Sequence, residues 1–123
     1  MRNWLFAIIL VLISSSSFAN WSEFTFLGTI NNVVFSYRVY SPSEIAKGSS
    51  IEFKVLNLNK MKARVLITDI VYNCYDGSQE SGNLLTKRIS GGKDFSFKTQ
   101  ENICQEKGGF ESLSVLLDAR VRR

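Results

Sequence analysis

The sequence predicts an all-β domain, an antiparallel sandwich of about seven strands. Three observations predict it. Apolar residues alternate with period two through most of residues 20–121, and no stretch sustains a helical i, i+3, i+4, i+7 stripe for three turns. Clusters of Gly, Asn, Asp, Ser and Pro punctuate that alternation at short intervals. Setting aside a leader of 19 residues from the 123 leaves 104, the size of one domain with one core.

The leader is residues 1–19. Arg2, an apolar run over residues 4–13, and four serines whose last opens Ser17-Phe18-Ala19 are what a signal peptidase requires, with small residues at −3 and −1. The apolar run is too short to span a bilayer, which takes about 20 residues, and no cysteine follows Ala19 to accept a lipid. The expected mature chain is therefore residues 20–123, exported to the periplasm or the extracellular space without a transmembrane anchor.

Residues 23–30 read as the first strand, with Phe24, Phe26 and Ile30 on one side. Asn31 and Asn32 tolerate the positive φ of a two-residue hairpin turn, so residues 33–40 return antiparallel with Val33, Phe35, Tyr37 and Val39 on one face. Ser41, Pro42, Ser43, Lys47 and Gly48 mark a connection, since proline cannot donate to a ladder; residues 43–47 suit one helical turn. Ile51, Phe53 and Val55 alternate with Glu52 and Lys54 in a half-buried strand with one wet face, followed by a polar link over residues 57–62.

Residues 63–74 are apolar on both faces, with Val65, Ile67 and Val71 opposite Leu66, Ile70 and Tyr72, the pattern of the central and longest strand. Asp69 interrupts it, and the expectation is an acid that faces solvent or pairs with Arg64, Arg88 or Arg38, with a buried functional acid as the alternative. Residues 76–82 carry turn formers and no apolar anchor, which predicts a loop. Strands over 84–89 and 93–98 flank Gly91-Gly92, the signal of a tight hairpin. Residues 101–110 form a second loop, and 112–121 close the chain with Leu113, Val115, Leu117 and Val121 aligned.

Seven short antiparallel strands in about 100 residues fit a two-sheet sandwich of immunoglobulin-like shape, with a small closed barrel as the alternative. Trp21, Phe24, Phe26, Phe35, Tyr37, Phe53, Phe95 and Phe97 are available to fill its core. The cysteines depart from the immunoglobulin pattern. Cys74 ends the central strand and Cys104 lies in a loop, so their bridge is expected to pin one end, and Trp21 is too near the mature N-terminus to be the tryptophan that the immunoglobulin bridge packs against. Two cysteines in an oxidising compartment imply that disulfide, which stabilises by ~3–4 kcal/mol when it closes a loop of about 30 residues.

Histidine is absent, which removes the commonest general base near neutral pH and the commonest zinc ligand. With both cysteines bridged no thiolate remains to attack or to bind metal. The expectation is a protein that is not an enzyme and holds no cofactor and no metal. Asp76, Glu80 and Glu101 offer oxygens near the bridge, but their spacing fits no calcium loop and Asp76-Gly77-Ser78 reads as a turn. Gly91-Gly92 and Gly108-Gly109 lack the strand-to-helix setting of a phosphate loop, and the sequon Asn20-Trp21-Ser22 lies on the cleavage site.

The chain carries 15 Lys and Arg against 11 Asp and Glu; Arg2 leaves with the leader, so the net charge falls from +4 to +3. The charges are interspersed except at Arg120, Arg122 and Arg123, which reads as a solvated tail rather than a nucleic-acid footprint. What remains is a binding or accessory module that contacts another exported or cell-surface protein. Its candidate surface is the pair of loops braced by Cys74 and Cys104, carrying Tyr75, Asp76, Gln79, Glu80 and Phe110, because rigid loops lose less entropy on binding. Tyr72, Tyr75 and Phe110 supply either an aromatic platform there or packing around the bridge. Two alternatives share the pattern: an inhibitor or immunity protein that plugs an exported enzyme with the acidic 76–80 loop, and a barrel that carries a small apolar ligand.

Overall fold

A computed structural model describes residues 20–42, 47–99 and 101–122. The leader and all but Lys47 of the expected helical turn lie outside the described residues. Nine strands are present among them: β1 (Asn20–Trp21), β2 (Thr25–Ile30), β3 (Val33–Ser41), β4 (Ser50–Asn57), β5 (Ala63–Cys74), β6 (Gln79–Ser81), β7 (Leu85–Ile89), β8 (Asp94–Lys98) and β9 (Phe110–Val121). The fold is all-β, with two antiparallel sheets, one of them curled into a half-barrel. No helix among the described residues is long and apolar enough to cross a membrane.

In the five-stranded sheet β1 and β2 share one edge of β3, whose other edge pairs with β4, and β8 follows. In the four-stranded sheet β9 covers one edge of β5 while β6 and β7 share the other. Every segment read as a strand is one, and β5 is central as expected. The two additional strands are short. β1 sets Trp21 opposite Tyr40, and β6 lies inside the expected 76–82 loop. There the turn at Gly77 (φ 89) lets Cys74 N–H donate to Ser78 C=O at 2.9 Å, so backbone pairing rather than apolar anchoring makes the hairpin.

Asn31 and Asn32 have φ 49 and 59, the double positive φ that the hairpin between β2 and β3 demands. Gly91-Gly92 behaves otherwise. β7 pairs with β5 and β8 with β4, so this turn carries the chain from one sheet to the other instead of closing a hairpin. Its geometry is set by tertiary contact: a Cβ on Gly91 would collide with the Lys60 carbonyl, and Gly92 N–H donates to Asn57 C=O at 2.9 Å. Asn57, assigned by sequence to a polar link, ends β4 with no exposure. Its Nδ2 donates to Met61 C=O and Ile89 C=O, both at 2.9 Å, satisfying carbonyls of two segments at once.

The inner faces of both sheets meet in one core of Val33, Phe35, Ile51, Phe53, Val55 and Phe97 against Ala63, Val65, Ile67, Ile70, Tyr72, Ile89 and Ala119. The phase along β5 differs from strict alternation. Asp69 adopts φ 51 at an irregularity between Thr68 and Val71, and this extra residue turns Ile70 and Tyr72 inward beside Val65 and Ile67. Val71 is thereby displaced from the core face, and Asp69 is exposed. A second irregularity between Phe26 and Gly28 reverses the phase of β2, so Leu27 and Ile30 pack on the core while Phe26 stays 65% exposed. Phe24 is also exposed, and Trp21 stacks on the outer side with Tyr40 at 5.2 Å; these three aromatics do not fill the core.

Candidate functional site

The bridge expected from sequence is present: Cys74 and Cys104 are joined, their Cα atoms 5.5 Å apart. Cys74 ends β5 in the four-stranded sheet. Next to Cys104, Ile103 exchanges two backbone hydrogen bonds of 2.8 Å with Ser49, just ahead of β4 in the five-stranded sheet. The 101–110 loop thus fastens both sheets at one end of the molecule, with Ile103 and Cys104 fully buried. Asn102, Cys104 and Glu106 hold φ of 64, 60 and 59, conformations that cost free energy in non-glycine residues and persist only where surrounding contacts enforce them.

Those contacts come largely from the turn after β5. Tyr75 N–H donates to Gly109 C=O at 3.0 Å and Asp76 N–H to Lys107 C=O at 3.1 Å, so the two loops are paired through their backbones. Glu80 reaches across from β6, accepting from Cys104 N–H at 2.9 Å and from Lys107 Nζ at 2.8 Å. The Cys104 amide and then the Lys107 ammonium hold its carboxyl below its ordinary pKa, and Lys107 is raised in turn by Glu80. Asp76 caps its own turn through Ser78, whose hydroxyl and amide both donate to Oδ1 and lower the carboxyl's pKa.

The five residues assigned to this surface divide in two. Tyr75 is 65% exposed, and Asp76 and Gln79 are exposed beside it, with Gln79 Nε2 donating to Asn73 Oδ1 at 2.9 Å. Glu80 and Phe110 instead hold the frame. Glu80 is committed to Cys104 and Lys107, which leaves Asp76, exposed and bonded within its own turn to Ser78, as the carboxylate that the 76–80 loop presents outward. Phe110 packs against the core, edge-on to Tyr72 at 6.4 Å. Tyr72 is fully buried; burial raises its hydroxyl pKa, and Thr99 faces it in a contact short of full hydrogen-bond geometry.

Among the described residues, Cys74, Glu80 and Cys104 form a group with ligand atoms within 4.8 Å of one another, and two of those three are the disulfide. Glu101 is not part of that group. Sequence reasoning missed a second cluster, on the outer face of the five-stranded sheet. The Arg38 guanidinium lies 4.5 Å from the Trp21 ring centroid and 4.9 Å from that of Phe24, and Arg38 Nε donates to Glu52 Oε1 at 2.7 Å. Glu52 was expected on a wet face and is 6% exposed, because Arg38 lies opposite it in the β3–β4 register. The signal in the sequence was opposite charge at two outward positions, readable only once that register is known.

The chain matches no protein-family model and no curated protein sequence.

Proposed function

We propose that the chain is an exported, non-catalytic binding domain of immunoglobulin-like sandwich form that contacts another exported or cell-surface protein with its disulfide-braced loops. The observation that carries this reading is an exposed aromatic on an over-determined frame. Tyr75 stands 65% exposed at the point where the disulfide, two loop-to-loop backbone hydrogen bonds and the Glu80–Lys107 pair converge. A tyrosine offers large apolar area with a polar tip at low entropic cost, and its frame is already rigid, so little ordering remains for association. Asp76 and Gln79 flank it as polar contacts, while Glu80 and Phe110 keep the frame in shape. The sandwich form is supported by a single core shared between two antiparallel sheets. The non-catalytic reading rests on the absence of histidine and of any free thiol among the cysteines.

Chemical cross-linking in the exported fraction, with wild type and Tyr75→Ala side by side, tests this. The expected result is a partner protein recovered by the wild type and weakened about 30-fold by the variant, the effect of an interface hot spot of ~2 kcal/mol, at unchanged Tm. Equal recovery by both proteins refutes the loop surface. A lowered Tm in the variant makes Tyr75 a packing residue and moves the contact elsewhere.

A further inference from the structure

The other end of β5 carries an arrangement that the loop surface does not use. Arg64 stands opposite Arg88 of β7 on one side and opposite Arg120 of β9 on the other, which sets three guanidinium side chains side by side across three neighbouring strands. One rung further, Arg122 N–H donates to Lys62 C=O at 2.9 Å, and alternation places both of those side chains on the same outer face. All five cations are exposed. They line a shallow cleft of about 340 Å³ together with Val121. The residues that read as a charged tail are therefore the edge of a cationic surface, with Arg123 outside the described residues.

Like charges directly opposite in a sheet destabilise it, and little here compensates. Among the described residues one ion pair reaches the five, Arg120 Nε to Asp118 Oδ2 at 3.5 Å, between side chains 82% and 48% exposed. Such an exposed contact contributes little. Arg38, on the other sheet, is enclosed by two rings and a buried carboxylate. The row of Arg88, Arg64 and Arg120 has no such enclosure and packs no core. Strand spacing makes it about 10 Å wide, and successive same-face rungs are about 7 Å apart, which suits two or more anionic groups rather than one. Guanidinium forks match phosphate oxygens in pairs.

We propose that this face binds a ligand bearing several closely spaced phosphate groups, either free in solution or displayed as lipid headgroups. The site is independent of the loop surface around Tyr75, at the opposite end of β5.

The test measures wild-type binding to inorganic tripolyphosphate by calorimetry. It also measures cosedimentation with mixed phosphatidylcholine–phosphatidylglycerol vesicles against pure phosphatidylcholine vesicles, all at physiological ionic strength. The double variant Arg64→Gln/Arg88→Gln is compared with Lys54→Gln/Lys98→Gln, which removes the same charge from the other sheet. Binding to tripolyphosphate identifies a soluble source and binding to the mixed vesicles a headgroup source; either supports the proposal. The arginine pair should weaken binding at least about tenfold, the loss of roughly one charge-assisted contact, and its Tm should equal or exceed that of the wild type because repulsion is relieved. The lysine pair should bind within about twofold of the wild type. The proposal is overturned by wild-type protein that binds neither probe, by equal losses in the two double variants, or by a lower Tm in the arginine variant.

Discussion

The two ends of β5 treat charge and restraint in opposite ways. At the Cys74 end the charges on the frame have partners: Glu80 has Cys104 N–H and Lys107, Asp76 has Ser78, and a covalent bond closes the frame. At the Ala63 end the restraint is uncharged. Asn57 ties Met61 and Ile89 through its amide, Asn31 Nδ2 donates to Ala119 C=O at 2.7 Å, and five cations stand on the surface with one weak acidic neighbour. The difference separates two uses of polar chemistry in one strand. Partnered charges at the disulfide end hold a loop conformation, whereas at the other end like charges stand opposite one another with one exposed ion pair among them.

The largest test of this contrast removes the covalent restraint. Cys74→Ser should lower stability by about 2–5 kcal/mol, read from chemical denaturation against the oxidised wild type. The effect should concentrate in faster amide exchange over residues 101–110, since Ile103 and Cys104 are the loop's inner contacts. Uniform destabilisation with no local increase would mean that the ion pair and backbone bonds hold the loop alone.

Asn57→Ala is the matching break at the opposite end. It leaves the buried Ile89 carbonyl and the part-buried Met61 carbonyl without their donor and should cost about 2–3 kcal/mol, with faster exchange around residues 89–93 and little change near Cys104. A cost well below 1 kcal/mol would show that water replaces the amide and that this corner is not restrained by Asn57.

The smallest effect is the ionic one. Glu80 is held below its ordinary pKa of 4.5. Its contribution to stability is therefore complete above that value and is lost as pH falls through the lower, folded-state pKa. Glu80→Gln should cost about 1 kcal/mol near neutral pH, and the gap between variant and wild type should close as the pH drops below about 4.5. A gap that persists in acid would assign the effect of the substitution to packing rather than to the carboxylate's charge.

Strand positions, the Asn31-Asn32 turn and the Cys74–Cys104 bridge are legible in the sequence because each depends on simple chemistry: side-chain alternation, tolerance of positive φ, and a chain with two thiols that can pair in one way only. Tertiary structure alone decides what depends on register. Strict alternation in β5 sets Ile70 and Tyr72 on the face opposite Val65 and Ile67, and one extra residue at Asp69 brings all four to the inward face and turns Val71 away from it. Trp21, Phe24 and Phe26 read as core by composition, yet β1 and the irregular β2 leave them on the outer side, where Trp21 and Phe24 enclose Arg38. Gly91-Gly92 reads as a hairpin by local turn chemistry, and the choice of sheet for β7 and β8 is made by β5 and β4. The arginine row has the same origin. Arg64, Arg88 and Arg120 are far apart in the chain and carry no local signal of one another, so only the pairing of β7, β5 and β9 makes them neighbours, because hydrogen-bonded register is a property of partner strands and not of either strand's own residues.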